Sequence, residues 1–201
     1  MNSIIFPGQG SQYVGMCKNW YENFEEVKKV FDQADKILNE PLSDIVFNGP
    51  EEELTKTNNA QPAILISSIA ILEVIKSQKK IELSNFCKFL AGHSLGEYTA
   101  LYASGVLDFE SVLKLVKLRG NLMSKSDKSG EGKMAAIIGL KISEIEKMLK
   151  DFDKDGVCEI ANDNSEEQVV ISGDKVSVNS FKSIAKNCGA KLTIDLNVSA
   201  P

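Results

Sequence analysis

The chain has 201 residues, 43% hydrophobic and 25% charged, with a formal net charge of −5. That balance describes a globular chain of one large or two modest domains and excludes a basic nucleic-acid footprint. A mildly acidic surface does nothing to attract anions, so an anionic ligand has to be caught by a local feature.

Residues 3–6 read as a first strand. Pro7-Gly8-Gln9-Gly10-Ser11-Gln12 follows as a loop. Two glycines around Gln9 allow the backbone to approach a ligand and point N–H groups at it. Taken alone, an ordinary glycine-rich turn explains the loop equally well. Asn23 is expected to cap a helix with apolar residues at Phe24, Val27, Phe31, Ala34 and Leu38. Residues 41–57 read as a turn-rich connection with one or two short helices. Gln61-Pro62 opens a long apolar helix over residues 63–77, and Gln61 either binds a ligand or caps that helix. No run is read as a membrane span. Residues 1–6 have neither the charged leader nor the apolar length of a signal peptide.

Residues 86–91 form a mostly apolar run, read as a buried strand. Gly92-His93-Ser94-Leu95-Gly96 follows, then a helical stretch from Glu97. Strand, G-x-S-x-G, helix is the context of a nucleophile elbow. Side chains at 92 and 96 would collide with the turn. The turn lifts the Ser94 hydroxyl at the carboxyl end of the strand, and the Leu95 N–H faces a forming oxyanion. A plain Gly-Ser turn is the alternative. His93 is the only histidine. Neighbours on a tight turn point different ways, so it is a poor base for Ser94, which needs one.

Asp108 is expected to cap a further helix with Val112, Leu115, Val116, Leu122 and Met123 on its apolar face. Arg119 falls on that face. A buried guanidinium needs an anion, supplied either by an internal carboxylate or by a substrate carboxylate that fits its planar fork. Residues 124–133 read as a polar, glycine-rich linker. Beyond it the order strand (134–140), helix (143–150), strands (157–161, 168–172), helix (176–187), strand (191–196) is βαββαβ, the ferredoxin-like signature. The run Asn162-Asp163-Asn164-Ser165 reads as a loop facing a cleft. Cys17, Cys87, Cys158 and Cys188 show no C-x-x-C and read as reduced cytoplasmic thiols, with no metal site.

The set Phe6-Pro7-Gly8-Gln9-Gly10-Ser11-Gln12, Gln61-Pro62-Ala63, Gly92 to Tyr98 and Leu118-Arg119-Gly120 resembles the malonyl-CoA:acyl carrier protein transacylases, over the whole chain. The resemblance implies an α/β fold. An α/β-hydrolase-like large domain (residues 1–124) would carry a parallel sheet and the elbow. A small ferredoxin-like domain (125–197) and a return segment (198–201) would follow. It implies Ser94 as nucleophile, the N–H groups of Gln9 and Leu95 as oxyanion hole, and Arg119 as clamp for the malonyl carboxylate. Gln61 and Met123 would line the acyl pocket, with Asn162 near it and His93 beside the substrate. The partners would be malonyl-CoA and acyl carrier protein, with no nucleic acid, membrane, metal or bound cofactor. The family's catalytic histidine is expected one residue beyond Pro201. The chain is therefore expected to be an N-terminal portion that transfers malonyl poorly by itself. Alternatives are an acyltransferase serving a polyketide synthase, an α/β-hydrolase-type esterase and a non-catalytic binding module.

Overall fold

The computed structural model describes residues 2–126, 131–152 and 156–196. The chain divides into two units, Met1–Ser124 and Lys125–Pro201. In the first, Ser3–Phe6 (β1) and Phe89–Gly92 (β2) pair in parallel, with Ser3 opposite Phe89 and Phe6 opposite Gly92. Parallel neighbours cannot be joined by a tight turn, so the chain crosses between them through helices. These are Lys18–Asn23 (α1), Glu25–Leu38 (α2), Leu42–Asn48 (α3), Glu51–Thr55 (α4), Thr57–Lys79 (α5) and Leu83–Phe86 (α6). After β2 come Leu95–Ala103 (α7) and Phe109–Ser124 (α8).

Helix α5 is the axis of this unit. Ala60, Ala63, Leu65, Ile66, Ile69 and Ala70 on it are fully buried. They share one core with Val27 and Phe31 of α2 and Val112, Leu113 and Val116 of α8. A helix apolar on nearly all sides belongs inside a protein. Contrary to the sequence reading, α5 is long and apolar enough to cross a membrane by length and composition. Since 67% of that stretch is buried, it is the core helix of this unit.

Several expected boundaries move. Helix α5 starts at Thr57, four residues before Gln61, so Gln61 is not a cap. It lies one turn in and is fully buried. Pro62 sits in the second turn, where its missing N–H deprives only the Asn58 carbonyl of a helical donor. Asn23 closes α1, and the extended Phe24 leads into α2. The strand expected from residue 86 begins at Phe89, because Leu83–Phe86 is helical. On α8 the buried face is Val112, Leu113, Val116 and Gly120, while Leu115 and Leu122 are 43% and 62% exposed. Leucines occupy both sides of α8, so their spacing cannot choose a face. Gly120 chooses it. A Cβ there would lie 2.9 Å from Asn58 Cα and from the Thr57 carbonyl oxygen. Only glycine lets α8 approach α5 so closely.

In the second unit Gly132–Ile138 (β3), Ile142–Lys150 (α9), Cys158–Ser165 (β4), Gln168–Asp174 (β5), Lys175–Asn187 (α10) and Leu192–Leu196 (β6) follow in order. The sheet order is β4-β5-β3-β6, every pair antiparallel. Helices α9 and α10 cover Ala135, Ile137, Val169 and Ile171 with Ile145, Val178, Phe181 and Ala185. Asp174 caps α10, its Oδ1 accepting from the Ser177 N–H at 2.8 Å. The run 162–165 is not a loop. It belongs to β4, with Asn162 opposite Val170 and a register shift between Ile160 and Asn162. The extra residue at the shift lets a polar edge strand keep pairing. Residues 127–130 of the expected linker and the expected return segment 198–201 lie outside the described residues.

Candidate active site

The elbow is built by steric exclusion. Ser94 has φ 52° and ψ −106°, a conformation a non-glycine residue adopts only under constraint. A Cβ on Gly92 would lie 1.9 Å from the Gly96 carbonyl carbon, and one on Gly96 would lie 2.3 Å from the Phe6 oxygen. Both positions must be glycine for strand, turn and helix to meet. The turn is held by Gly96 N–H donating to the His93 carbonyl at 2.9 Å and Glu97 N–H donating to the Ser94 carbonyl at 3.1 Å. Leu95 opens α7, where backbone N–H groups have no intrahelical acceptor and the helix end favours negative charge.

The Gln9 loop is pressed against this turn. His93 N–H donates to the Phe6 carbonyl at 3.2 Å. A Cβ on Gly8 would lie 2.7 Å from the His93 carbonyl oxygen. Gln9 itself is tied back to α5, its Nε2 donating to Thr57 Oγ1 at 3.2 Å.

Arg119 completes the set. Its Nη2 donates to Ser94 Oγ at 2.9 Å, and its Nη1 donates to Gln61 Oε1 at 2.6 Å. The other end of the Gln61 amide, Nε2, donates to Met123 Sδ at 3.2 Å. The guanidinium carbon lies 5.8 Å from the centre of the Tyr98 ring, close enough for a cation–π contact. Four residues singled out from sequence, Ser94, Arg119, Gln61 and Met123, therefore form one connected chain of contacts.

Arg119 is not the buried guanidinium that the helix pattern predicts. It is half-buried rather than enclosed, and among the described residues its hydrogen-bond acceptors are an amide and a hydroxyl. No carboxylate among those residues pairs with it. Its positive charge faces the Ser94 hydroxyl, and a guanidinium fork has the shape to bind a carboxylate. His93 is exposed. Asn162 is placed on β4 of the second unit. No group of three or more metal-ligating side chains occurs among the described residues. Ser94 does not line either of two concavities. One of about 350 Å³ flanks the Gln9 loop beside Tyr13, Trp20 and Ile64. Another of about 510 Å³ lies beside Glu131, Glu159 and Asp174. Neither contains a serine on a strained turn beside a cation.

Sequence reasoning missed Thr57 and Tyr98 as site neighbours. Both sit at readable spacings. Thr57 is four residues before Gln61 on α5, and Tyr98 is four after Ser94 on α7, so each shares a helix face with a known participant. Placing the start of α5 at Gln61 hid the first.

The model of the family described as "Acyl transferase domain" matches residues 4–200. The chain belongs to this acyl transferase family. It is 44% identical over 200 residues to the malonyl CoA-acyl carrier protein transacylase of Bacillus subtilis, covering 99% of this chain and 62% of that protein. It is 44% identical to the enzyme of that name from Haemophilus influenzae, with 99% and 63% covered. Among solved structures it is similar to the acyl-carrier-protein-S-malonyltransferase of Bartonella henselae, with a TM-score of 0.93 at 44% identity. That match covers 100% of this chain and 64% of the other. It is also similar to a malonyl-transacylase solved in complex with a type II polyketide synthase acyl carrier protein, with a TM-score of 0.91 at 40% identity, covering 99% of this chain and 63% of the other. This acyl transferase chain thus spans about 62% of the length of the curated relatives it matches. Like the acyl transferases it resembles, it is an α/β protein with a parallel strand pair and a separate antiparallel sheet.

Proposed function

We propose that this chain carries the acyl-loading site of a malonyl-CoA:acyl carrier protein transacylase of fatty acid synthesis. The observation that carries the reading is the 2.9 Å contact between Arg119 Nη2 and Ser94 Oγ. The contact supports reading Arg119 as a carboxylate receptor beside the elbow serine. A simple esterase has no use for that cation, and a binding module has no use for the strained serine.

Ser94 Oγ attacks the thioester carbonyl of malonyl-CoA and loses its proton to a base. The N–H groups of Gln9 and Leu95 hold the negative oxygen of the tetrahedral intermediate. The carbon–sulfur bond breaks, CoA leaves as a thiol after protonation, and malonyl remains as an ester on Ser94. The phosphopantetheine thiol of acyl carrier protein then repeats the exchange in reverse. One thioester is exchanged for another, so the site works by positioning and oxyanion stabilisation, with CoA thioester as substrate and no cofactor or metal. Arg119 holds the free malonyl carboxylate. Gln61 fixes the guanidinium from behind, and Met123 bounds the acyl group. His93 is assigned to the substrate surroundings. A histidine is the base that the resemblance implies. The first unit reads as the α/β-hydrolase-like domain with its elbow, the second as the ferredoxin-like domain, and the enzyme as cytoplasmic.

Loading of malonyl against acetyl tests the clamp. Malonyl-CoA is expected to label Ser94 at least about tenfold faster than acetyl-CoA, the worth of a charged hydrogen-bonded pair. Equal rates would remove Arg119 from its role. A second reading, service to a polyketide synthase, is favoured by the likeness to the malonyl-transacylase solved with a polyketide carrier protein. Comparing the two carrier types as acceptors separates the readings.

A further inference from the structure

We infer that Thr57 is a positioning residue for the oxyanion loop, and that α5 aligns both halves of the site from a single face. The inference rests on the reading of Ser94 and Gln9 given above. Thr57 and Gln61 lie four residues apart on α5, hence one above the other on one side of the helix. Thr57 Oγ1 accepts from Gln9 Nε2 at 3.2 Å. Gln61 Oε1 accepts from Arg119 Nη1 at 2.6 Å. The loop carrying the Gln9 N–H and the helix carrying the clamp are thus referenced to the same rigid turn.

That turn is well suited to the task. Thr57 is 2% and Gln61 0% exposed. The Thr57 carbonyl oxygen lies 2.9 Å from where a Gly120 Cβ would be, so α8 is seated on the same turn one residue from Arg119. A loop of small residues has little to hold it except such ties. Loss of the Thr57 acceptor leaves Gln9 free to rotate away from its place. The Gln9 backbone N–H would then stabilise the developing oxyanion less, while the contact between Arg119 and Gln61 stays intact. Thr57 touches no reacting atom in this scheme. It acts through Gln9.

The test is single-turnover acylation of Ser94 in the 201-residue chain, with imidazole supplied in the buffer as the base, followed by intact mass. Two acyl donors are used: malonyl-CoA, which needs both clamp and oxyanion hole, and p-nitrophenyl acetate, which needs only the hole. Thr57→Val is expected to slow both at saturating donor by about tenfold, the upper range for a lost neutral hydrogen bond. The half-saturating malonyl-CoA concentration should stay the same, and Thr57→Ser should restore both rates to within about twofold. Gln9→Ala should produce the same loss, and the double variant no further loss, since both remove one contact. The Gln9→Ala result stands by itself should Thr57→Val fail to fold.

Unchanged rates in Thr57→Val would overturn the assignment. So would a loss confined to malonyl-CoA, which would place Thr57 on the clamp side, or additive losses in the double variant. If unaltered chain reacts with the activated ester at Ser94 but not with malonyl-CoA, the malonyl reading fails while the Thr57 effect is still measured. Reaction with neither donor overturns both.

Discussion

Arg119 donates to the Ser94 hydroxyl at 2.9 Å while Gln61 holds the other end of the guanidinium at 2.6 Å. A malonyl carboxylate would be the stronger acceptor and would draw Nη2 away from Oγ, freeing the hydroxyl to attack. Arg119→Ala is expected to slow Ser94 malonylation by roughly 10- to 100-fold, the worth of hydrogen bonds to a charged group. Acetylation should slow much less. Arg119→Lys should recover little, because an ammonium lacks the fork. Rapid-quench mass spectrometry with both acyl-CoA donors reads this directly. Equal losses for the two donors would contradict it.

Gly120 is the seat of α8 on α5. A methyl group at 120 would meet the backbone of Thr57 and Asn58 at 2.9 Å, and backbone cannot rotate away as a flexible side chain can. Gly120→Ala is expected to destabilise the chain by about 1–3 kcal/mol, as overpacking does. Urea unfolding measures it. An unchanged midpoint would mean that the helices separate without cost.

The parts of the fold readable in the sequence are those set by local sterics. Gly92, Ser94 and Gly96 announce the elbow because the backbone itself forbids side chains at two of the three positions. What was misread depends on distant partners. The leucines of α8 fall on both sides of the helix, so only the fit of Gly120 against Thr57 decides the buried face. Arg119 was selected for burial it does not have, yet it faces Ser94 all the same. The polar run Asn162 to Ser165 looks like a turn, but a register shift and an edge position let it remain a strand. Pro62 suggested a helix start, whereas α5 absorbs it in its second turn.

Asp174 joins two elements of the second unit. Its Oδ1 accepts from Ser177 N–H at 2.8 Å and its Oδ2 from Val157 N–H at 2.6 Å. The backbone hydrogen bond from Ser177 is the main cause holding this carboxyl below its ordinary value. The ionised form is therefore the one that stabilises the fold. Its contribution is complete above the ordinary carboxyl value, about pH 4. It is lost as pH falls through the lowered native value. Thermal melts taken downward from pH 5 should show Asp174→Asn losing less stability than the unaltered chain. Parallel curves would contradict the assignment.

The thiols should separate by accessibility. Burial, the largest cause, pushes Cys158 up to about 11, and burial likewise raises Cys17. Cys188 is exposed. The thiolate is the reactive form, so iodoacetamide at pH 8 should modify Cys188 well before Cys17 and Cys158. Peptide mapping over time gives the order, and early modification of Cys158 would contradict its placement on β4.

The central claim is that Ser94, on its strained turn beside Arg119, takes up malonyl. Intact mass of the chain after incubation with malonyl-CoA, with imidazole supplied as the base and Ser94→Ala alongside, tests it most directly. The expected result is one malonyl adduct, mapped to Ser94 and absent from Ser94→Ala. An adduct that persists in Ser94→Ala would place the chemistry on another residue. A folded chain that forms no adduct would contradict an acyl-loading site assembled within these residues.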